Sequence, residues 1–335
     1  MKFGLYSSIA NPPRGEHLDR CIDETIAEAQ LAEASGFDSC FFGEHHQDHD
    51  GFLPSPLIVA TAVAARTRRL RVGTSVILLP LHHPVHVAED AITLDLVSKG
   101  RLIIGVGIGY QPADFRAFSV PMEHRTALFE ESVEILRLCW AGERFSYRGK
   151  HYTLEDVEIR PRPYQTSGPP LWFGASVAAA ARRAGRLADG FVGTPSTSLA
   201  NATALADIYK DAARKAGRAA EVVQMRDAWV ARTRAEADLV YGPHVMTAYR
   251  YYWEARLAEF QNMPPDTKFT LENLAPDRLI LGDPEACVRE FQRWHKATGA
   301  GTFLLRLRHA HSGGPPHEKI MEAIRLFGER VMPYC

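Results

Sequence analysis

Residues 71–110, RVGTSVILLPLHHPVHVAEDAITLDLVSKGRLIIGVGIGY, read as one complete strand–helix–strand unit. Arg71–Leu78 is β-branched and apolar and predicts a strand, His86–Ser98 has helical character, and Arg101–Gly105 predicts a second strand. A helix between two short apolar strands brings the chain back to lay a parallel neighbour, and such crossovers are right-handed. The same alternation continues in both directions. Strands are predicted at about residues 2–6, 38–43, 71–78, 101–105, 171–174, 190–193, 222–231 and 302–307. Helices are predicted at Leu18–Ser35 (stopped by Gly36), Pro56–Arg66, His124–Trp140, Pro284–Thr298 with Asp283 as N-cap, and His317–Val331. Eight in-line strands with helices between them predict an α/β (β/α)8 TIM barrel, read as a single domain spanning 1–335.

Two stretches depart from the alternation and are read as insertions. Phe145–Arg160 alternates apolar and polar residues around Arg148-Gly149 and predicts a hairpin at about 145–160. Tyr241–Pro276 is aromatic and punctuated by Pro264, Pro265 and Pro276; a long irregular segment of this kind predicts a functional lid at about 241–276.

Composition narrows the function classes. The chain has 335 residues with a formal net charge of −1, which argues against broad attraction to nucleic acid or anionic lipid. MKFGLYSSIANPP at the N-terminus lacks the longer apolar stretch of a signal peptide, and no apolar run approaches a membrane span. The expectation is a soluble cytoplasmic protein. Cys21, Cys40, Cys139, Cys287 and Cys335 are scattered and odd in number, which suits reduced thiols better than a disulfide frame or zinc site.

In a (β/α)8 barrel the active site lies at the C-terminal ends of the strands. Strand two is followed by Glu44-His45-His46-Gln47-Asp48-His49-Asp50, and three readings of this run are open: a metal cluster, one catalytic acid/base histidine, or a polar loop without chemistry. Gly105, Gly107 and Gly109 follow strand four without the G-x-G-x-x-G order of a dinucleotide loop; they read as a side-chain-free turn beside a flat ligand. Gly174-Ala175-Ser176 leads from strand five into a helix and offers either a phosphate site or an ordinary serine N-cap, with Arg182 and Arg183 one to two turns further on. Arg306, Arg308, His309 and His311 follow strand eight.

Taken together, FDSCFFGEHH, RVGTSVILLPLHHPVHVAED, GRLIIGVGIGYQPADF and PLWFGASVAAAARRAGRLADGF resemble the bacterial luciferase-like monooxygenases, and the likeness runs in order over almost the whole chain. The resemblance implies a histidine near the reactive edge of a flavin at His45, and a non-prolyl cis peptide against the isoalloxazine ring at Ser75-Val76. It also implies flavin binding by Thr74, Ser75, Val76, Gly107 and Gly174, and phosphate binding by Ala175 and Ser176. One position departs: luciferase has a phosphate-reaching arginine in the loop after strand four, where this chain has Ile108. That bears against light emission and leaves the phosphate contacts open.

The activity implied is a flavin-dependent monooxygenase using reduced FMN and O2 on a small organic substrate such as an aldehyde, ketone or alkene. Reduced FMN would come from a separate NAD(P)H-dependent flavin reductase. No resident metal is expected, and a homodimer is expected through the helices Pro56–Arg66 and His86–Ser98. Phe42, Tyr110, Trp172 and the aromatics Tyr249–Trp253 are candidates to line an apolar pocket. Rival readings are an F420-dependent dehydrogenase on the same barrel, a non-catalytic flavin-binding protein, and a metal-dependent barrel hydrolase using His45, His46, His49, His309 and His311. Tyr6-Ser7-Ser8 stands where metal barrels commonly carry His-x-His, which counts against the last.

Overall fold

The computed structural model describes residues 1–255, 257, 260, 263 and 267–335. Twelve strands occur among them: β1 (Lys2–Ser7), β2 (Ser39–Phe42), β3 (Arg71–Thr74), β4 (Ile77–Leu78), β5 (Leu102–Gly107), β6 (Phe145–Arg148), β7 (Thr153–Val157), β8 (Leu171–Ala175), β9 (Gly190–Gly193), β10 (Val222–Val230), β11 (Ile280–Gly282) and β12 (Thr302–Arg308). Ten of these share one sheet; β4 continues β3 beyond a bulge and β11 lies outside β10, leaving eight that close. Parallel pairing runs β1–β2–β3–β5–β8–β9–β10–β12 and back to β1, so the barrel has no open edge.

These strands are buried on both faces, which is why they read as continuous apolar runs. Inside the barrel sit Tyr6, Phe41, Ile103, Trp172, Val192, Val223, Met225 and Leu304, with Phe41 stacked on Trp172 at 5.3 Å. Trp172 is therefore barrel filling. The larger core lies between strands and helices and includes Phe42, so neither residue is a pocket aromatic as expected.

The helix Pro84–Ser98 ends where Lys99 and Gly100 take left-handed conformations, which frees Arg101 to begin the next strand. Asp283 caps Pro284–Thr298 by accepting the Ala286 N–H at 2.8 Å. The hairpin is present as antiparallel β6–β7.

The segment expected as an irregular lid is helical at both ends. Tyr241–Glu254 is the last two thirds of a helix, Arg234–Glu254, that runs through Pro243, and a further helix covers Leu271–Arg278. Pro243 stands inside the helix, where Tyr241, Val245, Ala248, Tyr249 and Tyr252 fall at helical spacing and are all buried. Their packing outweighs the roughly 3 kcal/mol that an interior proline costs. Pro264 and Pro265 lie outside the described residues.

Candidate active site

A cleft of about 260 Å³ opens at the C-terminal end of the barrel. Gly43, Glu44 and His45 follow β2, Ser75 and Val76 interrupt the β3–β4 strand, and Gly107–Gln111 follow β5. The opposite wall is Gly174–Ser176 after β8 and Val192–Ser196 at and after β9; Tyr6, Met225, Tyr252 and Arg306 lie at the barrel mouth. Segments far apart in sequence thus meet around one space.

The Ser75–Val76 peptide is cis. Its neighbours hold this bulge from both sides: Ser75 N–H donates to Phe42 O at 2.7 Å, and Glu44 N–H donates to Val76 O at 3.2 Å. Glycines accommodate it. A Cβ on Gly107 would stand 2.6 Å from Val76 Cγ2, and one on Gly174 would stand 2.9 Å from Val76 Cγ1. Gly107 therefore makes room for Val76 itself, a different reason for a bare backbone from the one read in the sequence. Thr74 does not line the cleft; its hydroxyl donates to Gly105 O and accepts the Gly105 N–H, at 2.8 and 3.0 Å.

At the other end the chain fits a phosphate-bearing cofactor. The helix Ala178–Leu187 begins beside Ala175 and Ser176, and its N-cap is Val177, which supplies no side-chain cap. The serine N-cap alternative is thus not realised, and the first N–H groups keep their capacity for an anion. Thr194 Oγ1, on the facing loop, is buried without a hydrogen-bond partner among the described residues, as a phosphoryl acceptor would require. The two arginines contribute no free charge here: Arg182 is exposed, and Arg183 pairs with Glu130 at 2.7 Å. Ile108 lines the cleft in place of the luciferase arginine.

Comparison with known families decides the lineage at this point: residues 1–301 match the family described as luciferase-like monooxygenase. The chain belongs to that family. The F420-dependent glucose-6-phosphate dehydrogenase of Microbacterium testaceum is 30% identical over 333 residues, covering 93% of each chain. The 4-hydroxyprotoasukamycin monooxygenase of Streptomyces nodosus subsp. asukaensis is 29% identical over 91% of this chain and 85% of its own. Among solved structures, the monooxygenase RslO1 from Streptomyces bottropensis superposes with a TM-score of 0.88 at 28% identity, covering 100% of this chain and 99% of that one. This luciferase-like protein is thus an oxidoreductase of a flavin- or F420-dependent lineage, with named relatives of both kinds.

The histidine run of the luciferase-like barrel divides into separate roles. His45 lines the cleft, with Nδ1 3.2 Å from Asp48 Oδ2 and its ring 4.3 Å from that of Phe52. His46 turns away: its Nε2 and that of His82 both reach Glu44 Oε1, at 2.6 and 2.7 Å. Glu44 Oε2 accepts the Leu78 N–H at 2.8 Å, so this buried carboxylate ties the β2 loop to the strand just past the bulge. Sequence reading quoted Glu44 but gave it no task; its partner His82 lies 38 positions away and only the fold joins them. His309 is buried with Nε2 2.7 Å from the Tyr241 hydroxyl, and burial lowers its pKa to about 3. His311 stacks on Tyr251 at 3.6 Å near Asp50. Among the described residues, no group of three His, Cys, Asp or Glu is placed to hold a metal ion.

Burial pushes the Glu44 carboxyl up, but the hydrogen bonds from His46 and His82 outweigh it and bring the pKa to about 2, against an ordinary 4.5. For His46, burial pulls the other way, and Glu44 prevails to raise its pKa. The sign follows. A depressed carboxylate stabilises the fold fully above about pH 4.5, and that contribution disappears as pH falls towards 2. The raised His46 contributes below its ordinary value of 6.5 and loses that contribution as pH rises through its folded value. Glu44→Gln is therefore expected to be less stable than the parent by about 2–3 kcal/mol at pH 6, a gap that closes between pH 4.5 and 2. Urea unfolding of both proteins across that range checks it; a gap independent of pH would count against the carboxylate.

Of the other strand-eight residues, Arg308 turns outward after the β1–β12 register slips beyond Tyr6, and binds Glu24 and Glu28 at 3.1 and 2.7 Å. Arg306 faces the cleft and pairs with Asp227 through Nε–Oδ1 at 2.7 Å and Nη2–Oδ2 at 3.0 Å. Asp227 was not foreseen. Tyr110 and Tyr252 line the cleft as expected, whereas Tyr249 is core and Trp253 is half exposed. Among the described residues, no helix is long and apolar enough to cross a membrane.

Proposed function

We propose that the protein is a flavin-dependent monooxygenase, using reduced FMN and O2 to place one oxygen atom on a small organic substrate such as an aldehyde, ketone or alkene. The second oxygen atom leaves as water and the flavin as oxidised FMN. The carrying observation is the charge balance of the cleft: its lining arginine, Arg306, is neutralised by Asp227, so an uncharged substrate suits it better than a phosphorylated sugar. Full-length likeness to the monooxygenase RslO1 supports the same reading.

Reduced FMN supplies the electrons that activate oxygen; the chain supplies position and dryness. Val76 and the glycines opposite it would set the ring plane, while Ser176, Thr194 and the helix N-terminus would hold the phosphate. His45, oriented by Asp48, would hold or pass a proton at the reacting edge. Tyr110 and Tyr252 would exclude water. A separate NAD(P)H-dependent reductase would deliver the reduced flavin. A second copy would dock on the helices Pro56–Arg66 and Pro84–Ser98, where Ile58, Leu96 and Val97 are exposed, Ile58 by 72%.

The second reading, an F420-dependent dehydrogenase, is favoured by the 30% identity to the Microbacterium testaceum enzyme. Anaerobic titration with reduced FMN and reduced F420, followed by mixing with air in a stopped-flow spectrometer, separates the two. Preference for FMN and an oxygen-dependent transient are expected. Preference for F420 with no reaction towards oxygen would replace the first reading with the second.

A further inference from the structure

Register brings three side chains to one level at the cleft floor: Tyr6 pairs with Arg306 across β1–β12, and Arg306 pairs with Asp227 across β12–β10. Arg306 is 4% exposed and yet lines the cleft. A guanidinium carries five N–H donors. Nε and Nη2 each give one to Asp227, and Nη1 lies 3.4 Å from the Tyr252 hydroxyl. Among the described residues, two N–H groups are left over on a buried residue bordering the cleft. Of the neighbouring lining residues, Val192 has an apolar side chain and the Met225 thioether is only a weak acceptor.

Resting on the monooxygenase reading, we infer that Arg306, held by Asp227, is a specificity-determining residue that donates to an uncharged acceptor oxygen of the substrate, as in a carbonyl compound. The pairing explains why the oxygen should be uncharged. Asp227 cancels the formal charge of Arg306, so a carboxylate or phosphoryl group entering this level gives up its hydration for no net ionic attraction. A carbonyl gives up far less and accepts the remaining N–H groups. Sites built around buried donors discriminate strongly against analogues that lack the acceptor. Asp227 acts as a positioning residue: its two oxygens fix the guanidinium plane, as a bidentate pair does. The inference narrows the aldehyde, ketone or alkene range towards the first two.

The test uses two probes of nearly equal shape, 2-nonanone and 2-methylnon-1-ene, which differ in C=O against C=CH2. Binding of each is measured by equilibrium dialysis on the full chain, with FMN affinity titrated on the same samples. The ketone-to-alkene affinity ratio is compared between the parent and the double variant Arg306→Met, Asp227→Leu, which replaces the ion pair with apolar side chains of similar volume. The ratio is expected to fall about ten- to hundredfold, with FMN affinity unchanged. Arg306→Lys keeps a countercharge for Asp227 but loses the planar fork; it is the second variant should the double variant fail to fold, and a drop of about threefold or more is expected. A ratio unchanged in either folded variant overturns the inference. Loss of FMN binding by the parent would strike the monooxygenase reading instead, and the ratio would still be read.

Discussion

Asp227→Ala is expected to lower the free energy of unfolding by about 3–5 kcal/mol, the cost of leaving a buried guanidinium without its partner. Asp227 and Arg306 are both nearly inaccessible, with side chains 0% and 4% exposed. Burial disfavours the ionised Asp227, but the Arg306 guanidinium outweighs it and holds the carboxyl below its ordinary range. Removing the carboxylate also frees the carbonyl-and-tyrosine frame around it, where Tyr241 donates to Arg306 O and meets His309. Urea denaturation measures the loss directly; a change smaller than about 1 kcal/mol would mean that water or a shifted side chain already shields Arg306. Exchanging both members for apolar residues should cost far less than removing one, because such a swap is often neutral or stabilising.

The second large effect concerns rate. On the monooxygenase reading, His45→Ala should reduce the turnover rate to product by about 10²–10⁴-fold, the range for losing a positioned acid/base group. FMN affinity should change by less than about threefold, because the end of the cleft proposed for the phosphate lies on β8 and β9 and the His45 loop on β2. Steady-state turnover with coupled reductase, together with a flavin titration, separates these quantities. Unchanged turnover would remove His45 from the mechanism. Equal losses in turnover and affinity would assign it to cofactor binding.

The barrel was legible because its strands are buried on both faces and therefore write themselves as apolar runs; all eight segments named from the sequence appear in the closed ring. β11 was invisible for the opposite reason: three residues are too short to show a period. The reading of Tyr241–Pro276 as irregular rested on its aromatics and on Pro264, Pro265 and Pro276, and so passed over the buried stripe of Tyr241, Val245, Ala248, Tyr249 and Tyr252 at its start. In the cleft, His45, Ser75, Val76, Gly107, Gly174, Ala175 and Ser176 come together from four segments, which the rule about strand ends anticipates. Thr74 does not join them, because a strand residue one step earlier points to its neighbouring strand. The pair Asp227–Arg306 had no local signature at all. Those residues are 79 positions apart, and only inter-strand register makes them adjacent.

The interlock of Val76 with Gly107 and Gly174 has a bearing on engineering by recombination. Three chain segments share one volume, so none of them is a free module. A donor loop carrying a bulkier residue at position 76 would collide with two backbones it did not evolve beside. Conversely, a donor β5 or β8 loop with any side chain at its glycine would evict the isopropyl group that occupies that space. Useful chimaeras within this family should therefore exchange positions 76, 107 and 174 as a set, and crossovers that split the set should populate the insoluble fraction of a library.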